Sequence, residues 1–145
     1  MDQILETPIR VRYSETDQMG QAYYANYLVW FEAARGHLMR ELGIPYGTIE
    51  AEGFFLPVSK FWARLVKPAR YDDALGIRLW ITSVQSRAVE FHYQVVRDGR
   101  LLAEGGTTHV AVARTGRPAR LPSAPRRALE AYMQRHKLPW SARRE

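Results

Sequence analysis

The feature that most constrains the fold is a long helical pattern that is apolar on most of its surface. Between about residues 24 and 42, large apolar side chains recur at spacings of three and four, as they do along one face of an α-helix. Trp30 and its neighbours add apolar residues to the remaining surface. A helix of this kind is usually buried within its domain. The pattern ends at Gly43, which is followed by Pro45, a common stop signal for helices.

Much of the remaining chain alternates between apolar and polar residues, as expected of half-buried strands. The segments are residues 9–13 before the helix and, after it, 54–66, 75–82, 89–96 and 101–114. Asp98-Gly99 lies between the last two segments and predicts a type I′ hairpin, because both central positions of that turn need positive φ. Small residues in the last segment, including Gly105 and Gly106, indicate that another backbone passes close by, and the helix is the obvious candidate.

One strand, a long buried helix and a meander of antiparallel strands predict an α+β domain in which about five strands wrap the helix. Shorter helices are expected over residues 46–52 and 124–136. No linker or repeat divides the chain, so residues 1–145 are predicted to form one domain with a basic helix and tail from about residue 123. One helix cannot cover both faces of so long a sheet. We therefore expect burial by a second copy of the chain, in a homodimer or homotetramer.

Composition excludes several kinds of protein. Cysteine is absent, which excludes a disulfide framework, a thiolate metal site and a cysteine nucleophile. No apolar run is long enough for a membrane span. The first six residues have no basic start and no apolar core, so no secretory signal is predicted and a cytoplasmic location is expected. The four histidines have no metal-ligand spacing, and we expect no metal.

Positive charge is concentrated at the C-terminal end of the chain. Residues 1–113 carry 12 basic and 13 acidic residues, whereas residues 114–145 carry 9 basic and 2 acidic residues. Such a field attracts polyanions. A nucleic acid or a phosphorylated small molecule such as coenzyme A would serve as the partner. A solvated basic tail that only promotes solubility is the remaining interpretation.

The residues most suited to chemistry precede the long helix. Asp17 lies in a polar loop that contains Gly20 and leads into the helical pattern. The first turn of a helix leaves backbone N–H groups without partners at its positive end, so an oxyanion that develops there would be stabilised. A nearby carboxylate could attack a carbonyl or deprotonate a water. Asp17 could equally be a loop or helix-capping residue, since Asp is common before helices.

A family signature is present in the segment from Tyr13 to Arg35, which combines Thr-Asp, Gly, Tyr and Asn-Tyr at fixed spacings. The segment resembles the active-site signature of the 4-hydroxybenzoyl-CoA thioesterase family of hotdog proteins. Residues 67–73 are similar to a strand-ending segment of the same family. The resemblance runs from about residue 7 to 125. It implies a hotdog fold and hydrolysis of an acyl- or aroyl-CoA, with no cofactor, since coenzyme A is part of the substrate.

The resemblance also implies roles for individual residues. Asp17 stands at the position of the catalytic carboxylate, as nucleophile or general base. The backbone N–H of Tyr24 would polarise the thioester carbonyl, and many relatives carry histidine where this chain has that tyrosine. Residues implied to contact the acyl group are Tyr13, Gly20, Tyr23, Val58, Ser59 and Lys60, the last three often from across a dimer interface. Residues implied to bind the phosphates of coenzyme A are Arg87, Arg114, Arg117 and Arg120.

Other functions remain open from the sequence. The chain could bind or sense acyl-CoA without hydrolysing it, because fold alone does not settle function. A nucleic-acid-binding module would use the basic C-terminus and bind in a salt-dependent way. Its basic residues lack aromatic interleaving apart from Tyr132 and Trp140, and no nucleic-acid partner is expected. A hotdog dehydratase generally relies on a catalytic histidine, and none lies near Asp17. The acyl group is open among aromatic, short aliphatic and long aliphatic.

Overall fold

The computed structural model describes residues 3–139. The first two residues of the predicted domain and the end of its predicted basic tail, from Trp140, lie outside this range. The strands are β1 (Leu5–Arg10), β2 (Phe54–Phe55), β3 (Val58–Leu65), β4 (Ala74–Val84), β5 (Ala88–Arg97), β6 (Arg100–Val110) and β7 (Val112–Ala113). The helices are α1 (Asn26–Glu41), α2 (Tyr46–Ala51) and α3 (Ser123–Arg135), with a short 3-10 helix at Tyr13–Glu15.

Five strands form one antiparallel sheet in the order β1-β4-β5-β6-β3, and β2 pairs with β7 in a separate two-stranded sheet. The helix α1 packs against one face of the large sheet. The ring of Phe31 on α1 stacks on the ring of Tyr93 on β5, with centroids 4.2 Å apart, and both side chains are fully buried. The predicted α+β arrangement of five antiparallel strands around a long helix is therefore confirmed.

The turn and the small residues of the last long strand behave largely as predicted. Asp98 and Gly99 both have positive φ, 51° and 74°, as a type I′ turn requires. A Cβ on Gly105 would lie 2.5 Å from the backbone oxygen of Trp62 and 2.6 Å from the ring of Phe31. The backbone nearest to Gly105 belongs to β3 rather than to the helix. The neighbours are the backbone of β3 and an aromatic ring that α1 carries.

Three boundaries differ from the prediction for identifiable reasons. β1 ends at Arg10, because the chain then turns into the 3-10 helix, where the Glu15 carboxylate accepts a hydrogen bond from Arg12 N–H. The segment predicted over 54–66 is divided at Pro57, so β2 pairs with β7 and β3 with β6. The helix α1 begins at Asn26 rather than near Tyr24.

The surface between α1 and β3 is apolar and exposed. Val29 on α1 is half exposed, and so are Val58, Phe61 and Leu65 on β3. β3 is an edge strand of the large sheet, and its residues are exposed along nearly its whole length. The prediction that α1 is apolar nearly all round holds for its sequence, but one apolar strip is not covered by residues 3–139.

Candidate active site

Asp17 lies in a tight loop that precedes α1. Asp17 N–H donates to the Gln21 carbonyl at 2.8 Å, and Gly20 N–H donates to the Asp17 carbonyl at 3.0 Å. Gly20 has a φ of +76°, which glycine adopts without steric cost. The Asp17 carboxylate accepts hydrogen bonds at Oδ1, from Met19 N–H at 2.9 Å and from Gln21 N–H at 3.4 Å. The loop therefore fixes one carboxylate oxygen of an exposed side chain.

The other oxygen of Asp17 and the start of α1 are free for a ligand. Within residues 3–139 no hydrogen bond reaches Oδ2 of Asp17, and α1 has no side-chain cap. The helix-capping interpretation of Asp17 is therefore wrong, because its carboxylate binds its own loop. The Tyr24 carbonyl accepts from Tyr27 N–H at 3.2 Å, but the Tyr24 N–H donates no backbone hydrogen bond in this part of the chain. It lies at the positive end of α1.

Glu15 fastens the loop to the helix, and sequence reasoning gave it no role. Its buried carboxylate accepts from Arg12 N–H at 2.8 Å and from the Trp30 indole N–H at 3.0 Å. Its carbonyl accepts from Tyr23 N–H at 2.7 Å and from the Asn26 side chain at 2.9 Å. Burial alone would raise the pKa of Glu15, but these hydrogen bonds and the charge of Arg12 lower it below its usual value. Asp17 is therefore two residues from a buried carboxylate that is hydrogen-bonded to Arg12 and to Trp30 on α1.

Exposed tyrosines surround the loop. Tyr13 lies in the 3-10 helix, and its ring meets the ring of Tyr71 edge to face at 5.6 Å. The rings of Tyr23 and Tyr24 lie 4.6 Å apart, and the hydrogen bond between their hydroxyls raises the pKa of Tyr23. These side chains extend the loop as an aromatic surface. Tyr13, Gly20, Tyr23 and Tyr24 therefore lie within seven residues of Asp17 in sequence, in the segment between the 3-10 helix and the start of α1.

The predicted residues of β3 are not brought to Asp17 within one chain. The Asp17 loop pairs with the segment just after β3, where Gln21 bridges Arg70. Val58 begins β3 at the opposite end of the strand from Leu65, about 23 Å along the strand at about 3.3 Å per residue. Val58 and Ser59 line a cavity against α1, whereas Lys60 lines a depression on the outer face of the sheet.

A second polar group, also not anticipated from the sequence, lies on the core side of α1. Arg35 donates to the Tyr93 hydroxyl at 3.0 Å, and that hydroxyl lies 2.6 Å from Thr107 Oγ1. Thr107 Oγ1 lies 3.0 Å from His109 Nε2, and His109 Nδ1 lies 2.9 Å from the Leu56 carbonyl. Arginine only donates and a carbonyl only accepts, so the bonds run in one direction from Arg35 to Leu56.

The protonation states of this chain follow from burial. Burial raises the pKa of Tyr93 to about 12 and lowers the pKa of His109 to about 4, so both are neutral near pH 7. Burial lowers the pKa of Arg35 while Tyr93 and Tyr46 raise it, and the result is above its usual value. The spacing contained a signal for this residue, since Arg35 lies four residues after Phe31 and three before Leu38, on the core-facing side of the helix.

The four arginines predicted to bind phosphate are exposed and lie on two segments that meet. Leu121 N–H donates to the Ser86 carbonyl at 2.8 Å, and Ala111 N–H donates to the Arg87 carbonyl at 2.9 Å. The turn that carries Arg87 is thereby joined to the loop after β7. That loop carries Arg114, Arg117 and Arg120. Arg114 also donates to the carbonyls of Glu50 and Ala51 at the end of α2, at 3.1 and 3.3 Å.

No helix between residues 3 and 139 is both long and apolar enough to cross a membrane. In the same range, no group of three or more histidines and carboxylates is arranged to hold a metal ion.

The single long helix against a five-stranded antiparallel sheet, with a polar loop at the start of that helix, defines a hotdog-fold protein of the thioesterase type. The model of the thioesterase-like superfamily matches residues 11–137. The chain belongs to that superfamily.

Individual relatives agree with this assignment. The acyl-CoA thioester hydrolase YbgC of Escherichia coli is 33% identical over 106 residues, which cover 72% of this chain and 79% of YbgC. The solved structure of the hypothetical protein TT1821 from Thermus thermophilus is 41% identical, with a TM-score of 0.85 over 88% of this chain and 98% of that one. DHNA-CoA thioesterase from Staphylococcus aureus is 30% identical, with a TM-score of 0.82 over 89% of this chain and 88% of that one.

Proposed function

We propose that the chain hydrolyses an acyl-CoA to the free acid and coenzyme A at the Asp17 loop. The observation that carries this proposal is the pairing of a fixed carboxylate with an unused N–H at the positive end of α1. The Asp17 carboxylate keeps Oδ2 free of hydrogen bonds from residues 3–139, and the Tyr24 N–H donates no backbone hydrogen bond in that range. A carboxylate and an oxyanion donor are the two groups that thioester hydrolysis needs.

Two mechanisms are consistent with this geometry. In both, the thioester carbonyl oxygen accepts a hydrogen bond from Tyr24 N–H, which stabilises the developing oxyanion. Asp17 attacks the carbonyl carbon in one mechanism, forming a mixed anhydride as the C–S bond breaks and the thiolate leaves, and water then hydrolyses the anhydride. In the other, Asp17 takes a proton from the water that attacks the carbonyl carbon, and the C–S bond then breaks as the thiolate leaves. No cofactor enters either mechanism, because coenzyme A arrives as part of the substrate.

A second copy of the chain is part of the proposal. β3 is an edge strand with unpaired backbone groups and exposed apolar side chains at Val58, Phe61 and Leu65, and such an edge favours pairing with another chain. Pairing would bring Val58, Ser59 and Lys60 of one copy towards the Asp17 loop of the other, in a homodimer or homotetramer. Each copy would then be the single domain of residues 1–145 with its basic C-terminal end.

The phosphates of coenzyme A are proposed to bind where the Arg87 turn meets the loop of Arg114, Arg117 and Arg120. Arginine suits phosphate because its planar fork makes two hydrogen bonds at once. The location agrees with the concentration of positive charge after residue 113. A small anionic substrate therefore accounts for the charge, and the proposal includes no nucleic-acid partner.

The test is thiol release from a panel of acyl-CoAs of short, medium and long aliphatic chains, with benzoyl and hydroxybenzoyl members. We expect the wild type to hydrolyse one class and Asp17→Asn to lose at least about a hundredfold in rate. Asp98→Asn is the matched control, because it removes an exposed aspartate from a turn whose positive φ suits asparagine. If the wild type binds acyl-CoA but releases no thiol from any of them, the protein is a binder and Asp17 a loop residue.

Single-turnover hydrolysis in oxygen-18 water distinguishes the two roles of Asp17. Label that enters the Asp17 carboxylate supports the mixed anhydride, because it shows that water attacked the aspartyl carbonyl of that intermediate. Label found only in the released acid excludes an anhydride that water opens at the aspartyl carbonyl.

A further inference from the structure

Two cavities along α1 meet at the buried side chain of Arg35. The first, of about 340 Å³, lies between α1 and β3 and has apolar walls at Leu28, Val29, Val58 and Phe61. The second, of about 530 Å³, continues towards α2 and β7. Arg35 and Glu32 line both cavities. A ligand that enters along the helix from its first turn would therefore meet Arg35 after an apolar stretch.

Arg35 is a buried cation with incomplete hydrogen bonding. Its exposed fraction is 7%, and its Nε atom has no hydrogen-bond partner among residues 3–139. Its guanidinium donates a hydrogen bond to the hydroxyl of Tyr93, and the nearby hydroxyl of Tyr46 also raises its pKa. Both hydroxyls are neutral near pH 7, because burial raises the pKa of each tyrosine. A buried guanidinium without an anionic partner is unfavourable.

No carboxylate within residues 3–139 forms an ion pair with the guanidinium of Arg35. Glu32 and Glu50 line the cavities but are exposed, and neither lies within 4.0 Å of the guanidinium. His109 is neutral near pH 7, because burial lowers its pKa to about 4. Within residues 3–139 the guanidinium of Arg35 therefore lines the cavities without an ion-pair partner, and the nearest cavity-lining carboxylate in sequence is the exposed Glu32.

The position of Arg35 relative to the proposed reaction site sets the length of a matching ligand. Arg35 lies nine residues beyond the start of α1 at Asn26, or about 13 Å along the axis at about 1.5 Å per residue. Long side chains on a helix lean back towards its N-terminus, which shortens the separation. A medium-length acyl chain whose carbonyl lies at Tyr24 N–H would place its far end near the guanidinium.

Resting on the function proposed above, we propose that Arg35 determines acyl specificity by binding a carboxylate at the far end of the acyl group. The substrate class is then medium-chain ω-carboxyacyl-CoA. The apolar walls hold the methylene chain, and the guanidinium binds the terminal carboxylate through charge-assisted hydrogen bonds. An acyl chain that ends in a methyl group would leave the buried cation unpaired and bind less well.

The test compares acyl-CoAs that differ only at the far end. The pairs are hexanoyl with adipoyl, octanoyl with suberoyl, and decanoyl with sebacoyl, and 8-hydroxyoctanoyl is a neutral polar control. We expect the wild type to prefer the carboxylate member of at least one pair by about tenfold or more in kcat/KM. Arg35→Met should lose this preference, Arg35→Lys should keep part of it, and Arg40→Met, a matched change on the exposed side of α1, should keep it all.

Binding measurements separate this inference from the proposed hydrolysis. Non-hydrolysable thioether analogues of the same pairs are titrated into the wild type and each variant by calorimetry. A carboxylate preference in binding, without hydrolysis of any member, supports the role of Arg35 and overturns only the proposed reaction. Equal affinity and equal kcat/KM for both members of every pair in the wild type would overturn the role of Arg35. This outcome needs no variant, so it stands even if Arg35→Met fails to fold.

Discussion

The buried imidazole of His109 should make the stability of this protein depend on pH. Burial lowers the pKa of His109 to about 4 from an ordinary value of 6.5, and the charge of Arg35 adds to this effect while the hydrogen bond with Leu56 opposes it. The neutral ring donates from Nδ1 to the Leu56 carbonyl and accepts at Nε2 from Thr107. A protonated ring carries hydrogen on both nitrogens, so the bond with Thr107 would have to reverse.

The magnitude follows from the difference between the two pKa values. Between pH 6.5 and about pH 4 the unfolded chain binds a proton at residue 109 that the folded protein does not. The free energy of unfolding therefore falls as the pH falls through this window and levels off below the folded pKa. From pH 7.5 to pH 5.0 the loss is about 2 kcal/mol, at about 1.4 kcal/mol per pKa unit.

The pH range is chosen to separate His109 from Glu15. The pKa of Glu15 is lowered from 4.5, so its contribution to stability is present above that value and is lost as the pH falls through the lower, folded pKa. That loss occurs below pH 5. The change in the free energy of unfolding between pH 7.5 and pH 5.0 should therefore report mainly on His109.

The assay is urea unfolding of the wild type and His109→Gln at pH 7.5 and pH 5.0, followed by tryptophan fluorescence at one protein concentration. The wild type should lose about 2 kcal/mol more than the variant between the two pH values. A His109→Gln protein that loses as much as the wild type would refute the assignment of a neutral, buried imidazole. The comparison holds even if the variant is less stable at both pH values, because only the difference between them is used.

Three further predictions follow from packing and hydrogen bonding. Glu15→Gln should destabilise the protein by about 1–3 kcal/mol, because an uncharged amide replaces the buried carboxylate that accepts from the Trp30 indole. Thermal unfolding of this variant, with Glu52→Gln as the control, checks the prediction. Gly105→Ala should lower the free energy of unfolding by about 1–3 kcal/mol, since the added Cβ would clash with the ring of Phe31. A melting temperature equal to that of the wild type would contradict this clash. Phe61→Lys on the exposed edge strand should shift the protein towards monomer in sedimentation velocity, and an unchanged oligomer would exclude this edge as the interface.

The parts of the fold that were predicted well are those with local signals. The alternation of β4 and β5 and the turn at Asp98-Gly99 depend on residues close in sequence, and the structure reproduces them within about two residues. The division of the segment after α2 into β2 and β3 had no such signal. Phe54 and Phe55 pair with residues 112 and 113, a contact between distant segments that are both apolar.

The candidate site divides in the same way. Asp17 and Gly20 stand in a polar loop before an apolar helix, so their positions could be predicted from the order of residue types. Val58 and Ser59 could be named only from the family resemblance, and whether they reach the Asp17 loop depends on a second copy of the chain. Lys60, which the resemblance implies together with them, lies on the outer face of the sheet, and whether it reaches the Asp17 loop also depends on the second copy.

Glu15, just before α1, and Arg35, on α1, are both buried charged residues, but they differ in how fully they are hydrogen-bonded. This difference, rather than burial, separates a structural role from a binding role. Glu15 has donors on both carboxylate oxygens, so it needs no ligand, and Glu15→Gln should lower hydrolysis of every acyl-CoA by the same factor if it loosens the Asp17 loop. Arg35 is equally buried but keeps Nε unpartnered in the described chain and lines two cavities, so Arg35→Met should change the ratio between carboxylate and methyl-ended substrates. Uniform losses in both variants would mean that Arg35, too, only supports the fold.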